Sequence, residues 1–107
     1  MKTIIRALAA VLAFAIVFAT GSFAADTGAD LFKAKCAMCH GANGAGDTAM
    51  GKNMKLRDLG SADVQKQTDA ELNTIITKGK KPMAAYEGKL TGDQINELVK
   101  FIRTLKK

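Results

Sequence analysis

Residues 36–40 read Cys36-Ala37-Met38-Cys39-His40, and both cysteines and the single histidine of the 107-residue chain lie inside this pentapeptide. Two thiols three residues apart, followed at once by an imidazole, form the attachment pattern of c-type haem. Positions i and i+3 are neighbours on a helical turn, so both sulfurs reach one edge of a planar ring, each adding to a vinyl group to form a thioether. The histidine is then carried beneath the metal, where an imidazole nitrogen is a suitable axial ligand for iron. The motif predicts one covalently attached haem c, with Cys36 and Cys39 as thioether residues and His40 as the proximal ligand.

Other uses of the same residues fit the surroundings less well. A thioredoxin-like redox pair wants a strand before the motif and a helix after it. Here a helical pattern precedes it and the glycine-rich stretch from Gly41 to Gly51 follows. A structural zinc site takes four ligands, usually Cys and His, and the chain has too few. A lone histidine is more often a packed or surface residue than a ligand, but its place directly after Cys39 outweighs that expectation. A disulfide between the two cysteines is the remaining alternative, permitted if the chain is exported.

Upstream, Lys2 and Arg6 precede a stretch from Ala7 to Ala25 that carries no charge. Its strongly apolar part runs from Ala7 to Ala19, Thr20-Gly21-Ser22 breaks it, and Ser22-Phe23-Ala24 places small residues at the exit. A basic start, a short apolar run and a small-x-small exit are the parts of a secretory signal peptide, so residues 1–24 are expected to be removed and residues 25–107 to form the domain. An uncleaved anchor is the alternative, although a span needs about 20 apolar residues. Cleavage removes Lys2 and Arg6 and no acidic residue, so the net charge of +6 falls to +4. A domain this small rarely builds a sufficient core from side chains alone, and a haem supplies the missing apolar body.

Downstream the pattern is helical, with no convincing strand. Thr27 is a plausible N-cap for a helix whose apolar face is Leu31, Phe32 and Ala34, and which runs into the motif. The glycines of 41–51 predict a loop around the ring edge, and Lys52 to Gly60 reads as irregular with Leu56 and Leu59 turned inward. A short helical piece fits Ala62 to Lys66. Thr68-Asp69-Ala70-Glu71 is a capping box, and Leu72, Ile75 and Ile76 form one buried stripe behind it, ended by Gly79 as a left-handed cap. Thr91-Gly92-Asp93-Gln94 opens a last helix carrying Ile95, Leu98, Val99, Ile102 and Leu105 at helical spacing, with Phe101 widening the face.

The position opposite His40 calls for a second ligand, and a methionine thioether there suits an electron carrier because it raises the reduction potential. Met38 lies inside the motif, on the same side as His40. Met50 and Met54 follow the glycine stretch and serve equally well as gap-fillers of the core. Met83 lies in the loop between the last two helices, with Pro82 stiffening its approach, and is the preferred distal ligand. Met50 and Met54 stay as alternatives.

The chain resembles the small bacterial class I monohaem cytochromes c over nearly all of residues 25–107. The resemblance is carried in order by Gly28…Phe32, by Cys36-Ala37-Met38-Cys39-His40, by Gly79-Lys80-Lys81-Pro82-Met83-Ala84-Ala85-Tyr86 and by Leu98-x-x-Phe101. It implies an all-α cytochrome c fold, three to four short helices wrapped around one covalent haem c, with Gly28, Phe32, Leu98 and Phe101 joining the first and last helices. It also implies iron alternating between two oxidation states without a substrate, hence a periplasmic one-electron carrier rather than an enzyme. Many relatives place Pro after the ligand Met, whereas Pro82 here precedes Met83. The family usually donates a hydrogen bond to a haem propionate, and Lys52, Lys55 and Arg57 are the candidates by position.

Lys33, Lys35, Lys78, Lys80, Lys81 and Lys89 surround the two ligand-bearing segments. They form either an ordinary solvated surface or a basic rim that steers docking onto acidic redox partners. Nucleic acid is disfavoured, for no aromatic platform or recognition motif accompanies the charge. Two rival functions remain: a haem-bearing subunit of a larger oxidoreductase, and an open-site ligand-binding or peroxidase-like haem protein.

Overall fold

The computed structural model describes residues 27–107. The reading of residues 1–24 as a signal peptide therefore lies outside the described residues. These residues are helical, with six helical segments and no strand beyond two isolated bridges, Lys80 to Met83 and Glu87 to Leu90. Helix α1 spans Gly28–Lys35, α2 Ala37–His40, α3 Ala49–Asn53, α4 Ala62–Gln65, α5 Asp69–Lys78 and α6 Gly92–Thr104. The longer three, α1, α5 and α6, are those expected from periodicity and caps; α2, α3 and α4 are single turns.

Local chemistry sets the starts. The Thr27 hydroxyl accepts the Asp30 N–H at 3.1 Å, with Asp30 near the positive end of α1 and Lys33 and Lys35 near its negative end. Both expected capping boxes form: Thr68 with Glu71 on α5, and Thr91 with Gln94 on α6. Each satisfies two N–H groups that a helix start leaves open.

The core is Leu31 and Phe32 from α1, Val64 from α4, Leu72 and Ile76 from α5, and Ile95, Leu98, Val99 and Ile102 from α6. Phe32 and Leu98 are its most deeply buried large side chains. The expected junction of first and last helices is present. The rings of Phe32 and Phe101 lie 4.9 Å apart and tilted by 45°. Gly28 lets the backbone of α1 approach the Glu97 carbonyl and the Phe101 Cβ.

Arg103, on α6, joins the helices through backbone oxygens. Its guanidinium donates to the carbonyls of Gln65 (2.8 Å) and Gln67 (2.5 Å) and to the Asp69 carboxylate (2.9 Å). The Gln65 amide donates in turn to the carbonyls of Leu59 and Ile102.

Four local expectations differ from the structure, the first being that Ala34, expected on the apolar face of α1, is exposed. The stretch read as loop and irregular chain holds α3, because the Thr48 hydroxyl accepts the Gly51 N–H at 2.8 Å and caps a turn that lacks any apolar stripe. Gly79 has φ 76° and ψ 165°, so it has positive φ without the left-handed helical ψ: the chain turns straight into the Lys80–Met83 bridge. Ile75 is half-buried rather than part of the core, and lines a groove of about 360 Å³ with Gln67, Ala70, Glu71 and Thr74.

Candidate functional site

Cys36 interrupts the helix that the preceding residues begin. Its φ of −116° and ψ of −30° depart from helical values, its N–H donates to the Phe32 carbonyl at 2.8 Å, and its own carbonyl accepts from Cys39 and His40. The break starts the one-turn α2, which carries Ala37 to His40 as a separate piece. Gly41, at φ 83°, ends it, and the His40 carbonyl accepts the Gly46 N–H at 2.7 Å as the chain folds back. The Thr48 hydroxyl donates to the Cys39 carbonyl at 2.6 Å, tying α3 to the motif.

Both cysteines are free thiols in this structure, and both are half-buried. Burial first, and then the neighbouring Cys39, push the Cys36 thiol up to about 11. Burial also lowers the His40 imidazole below its ordinary value, which favours the neutral form that binds metal. The His40 Nδ1 is buried and makes no hydrogen bond. The Phe32 ring, centred 6.3 Å from that of His40, ties the imidazole to the core.

Met83 is half-buried and packs against the same apolar core as Cys36 and Ala37. The bridge places its N–H 2.7 Å from the Lys80 carbonyl, and the preceding Lys81–Pro82 bond is cis. The other methionines sit differently. Met38 is 78 % exposed and Met50 46 %, so Met50 does not fill the core, while Met54 is half-buried.

The fit of a haem c rests on chemistry visible here: two unbridged thiols three residues apart, a half-buried imidazole with a buried, unpaired nitrogen beside them, and a thioether on the shared core. These residues suit the group. A bare metal ion has no comparable site, for no cluster of three or more His, Cys, Asp or Glu that would hold one occurs among the described residues.

Lys33, Lys35, Lys78, Lys80, Lys81 and Lys89 are all exposed. Lys78 pairs with Glu87 at 2.9 Å, and the Lys89 ammonium stands 5.9 Å over the Tyr86 ring. Lys52, Lys55 and Arg57 are exposed as well, and nothing separates them as propionate donors. Two residues of the site escaped sequence reasoning. Thr48 caps α3 without the acidic partner of a capping box, so no motif marked it. Tyr86, noted only as the tail of the Met83 loop, donates its hydroxyl to the Lys35 carbonyl at 2.9 Å.

Residues 23–102 match the family model described as cytochrome c oxidase, cbb3-type, subunit III. The chain is 33 % identical over 96 residues to cytochrome c6 of Nostoc sp., an alignment covering 83 % of this chain and 79 % of that protein. It is 33 % identical over 78 residues to cytochrome c6 of Leptolyngbya boryana, covering 73 % and 88 %. Among solved structures, the KustC0563 c-type cytochrome superposes with a TM-score of 0.70 at 30 % identity, covering 76 % of this chain and 99 % of that one. No described helix is long and apolar enough to cross a membrane.

Proposed function

The chain belongs to the cytochrome c family, a haem c electron-transfer protein with its haem covalently bound, and on that premise we propose that it is an exported one-electron carrier working between redox proteins. In this reading Cys36 and Cys39 form the thioether bonds, His40 is the proximal ligand and Met83 the distal one. Residues 1–24 are the secretory signal, residues 25–107 the carrier domain and the periplasm its compartment. The carrier is not itself an enzyme. The observation that supports this most is the pairing of two free thiols with an imidazole whose buried Nδ1 has no partner, all three groups being half-buried.

When bound, the haem supplies reversible one-electron chemistry at iron, tuned by the axial ligands. The protein's part is positional. The break at Cys36 turns both thiols and the imidazole out of one short turn. The Thr48 bond to the Cys39 carbonyl keeps α3 against that turn, and the core covers it in part. A rigid surround of this kind lowers the rearrangement that accompanies gain or loss of an electron. In this reading the exposed lysines around the two ligand-bearing segments attract an acidic partner, and electrostatic steering of that sort weakens with salt.

A pyridine haemochrome assay and redox-resolved visible spectra of the purified mature protein test the proposal. One haem c per chain, with a weak near-infrared sulfur-to-iron band in the oxidised form, is expected. A colourless protein with both thiols free or bridged would overturn it. The cbb3-type description of the family model favours a second reading, a haem-bearing subunit of a larger oxidoreductase, which stable co-purification with such an assembly would establish.

A further inference from the structure

Tyr86 is the chain's only tyrosine and stands three residues beyond Met83. Its backbone is laced to the last part of α5: the Tyr86 N–H donates to the Ile76 carbonyl and the Glu87 N–H to the Thr77 carbonyl, each at 3.0 Å. Its side chain reaches the opposite way, to the carbonyl of Lys35, 51 positions earlier in the chain. Lys35 is the last residue of α1, directly before the break at Cys36, where carbonyls of the final turn need donors from outside the helix. The Tyr86 hydroxyl supplies one.

Met83 is therefore bracketed. On one side its own N–H is held by Lys80. On the other, only Ala84 and Ala85 intervene before Tyr86, and both are exposed, so Tyr86 is the next anchored side chain. Tyr86, Met83 and Cys36 all pack against the same core. Burial raises the phenol above its usual range, and a phenol is protonated and able to donate at neutral pH. A neutral thioether has no charge to hold it on a metal, and its retention depends on the loop that presents it.

We propose that Tyr86 is a positioning residue for Met83: its hydroxyl, bonded to the Lys35 carbonyl, fixes the distal-ligand loop to the segment carrying Cys36, Cys39 and His40. This rests on the reading of His40 and Met83 as the axial pair. The hydroxyl sets the separation of the two ligand-bearing segments, and losing it frees the loop without removing the ring from the core.

The test uses the mature, haem-loaded protein and Tyr86→Phe, which deletes one oxygen. The near-infrared band should persist at neutral pH, while the fraction of protein with Met83 detached rises roughly three- to tenfold, the range expected for one hydrogen bond. That appears as greater carbon monoxide binding by the ferrous form and as loss of the band at a pH lower by roughly half to one unit, the logarithm of the same factor. Thr68→Ala, which weakens the cap at the start of α5, the opposite end of that helix from the Tyr86 backbone bonds, is the comparison: it should lower the melting temperature and leave both readouts unmoved. Wild-type behaviour in Tyr86→Phe, or equal displacement of both readouts by Thr68→Ala, would overturn the inference alone. A wild-type protein without the band, or a Met83→Ala variant that keeps it, would overturn the ligand reading and the inference with it.

Discussion

Gly28 stands where α1 meets α6, and a Cβ placed there would lie 2.9 Å from both the Glu97 carbonyl carbon and the Phe101 Cβ. Neither is the free end of a flexible chain, so the helices must part. Gly28→Ala should cost about 1–3 kcal/mol, as overpacking does, measurable by urea denaturation. Gly79 has a different constraint: at φ 76° and ψ 165° it occupies a region that side chains avoid, and its Cβ would press on the Met83 carbonyl and the Ala85 nitrogen, both at 2.8 Å. Met83 itself is read out by spectroscopy. Met83→Ala should abolish the near-infrared band and open the ferrous protein to carbon monoxide at neutral pH, because a vacated axial position accepts an external ligand.

At the scale of elements, caps and tethers do what propensity does not. Thr68→Ala and Thr91→Ala each remove the hydroxyl that starts a helix, and each should cost about 1 kcal/mol in chemical denaturation. The end of the chain is tied differently. The Asp58 carboxylate accepts from the Gly60 N–H at 2.8 Å and pairs with Lys107, whose backbone N–H meets the Gly60 carbonyl at 3.1 Å. The Lys107 hydrogen bond, then the Gly60 N–H, hold Asp58 below its ordinary value. A lowered folded-state pKa contributes stability above the unfolded value of about 3.9 and loses it as pH falls through the folded one. Wild type should therefore melt slightly above Asp58→Asn near neutrality. That difference should close at pH values below about 4, as thermal scans across the acid range would record.

For the molecule as a whole, the aliphatic and aromatic core seen here is small, and Met83, Cys36 and Tyr86 only partly close over it. Below roughly 70–80 residues a core seldom suffices without a staple, and residues 25–107 sit close to that limit. A Cys36→Ser, Cys39→Ser double variant, unable to form thioethers, should lack a cooperative melting transition, while the haem-loaded protein shows one. The charge acts at the same scale. If residues 1–24 are removed as proposed, the net charge is +4, and electron-transfer rates to an acidic partner should fall steadily as salt is added, by stopped-flow measurement.

The pentapeptide at residues 36–40, the two capping boxes and the apolar spacing of α6 were legible from sequence because each is local: a few adjacent residues carry the whole physical signal. The junction of Gly28 and Phe32 with Leu98 and Phe101 was legible through resemblance rather than periodicity. The α3 turn was hidden, since Thr48 earns its role by reaching the Cys39 carbonyl. Ile75 left the expected stripe because burial depends on what packs opposite a helix face. Tyr86 was silent for the same reason, its partner lying 51 residues away. By itself the sequence determined the kind of cofactor the chain carries and where the longer helices begin. Only the tertiary structure decided which distant backbone groups those side chains hold, because a hydrogen bond between remote segments exists only once packing has brought both ends together.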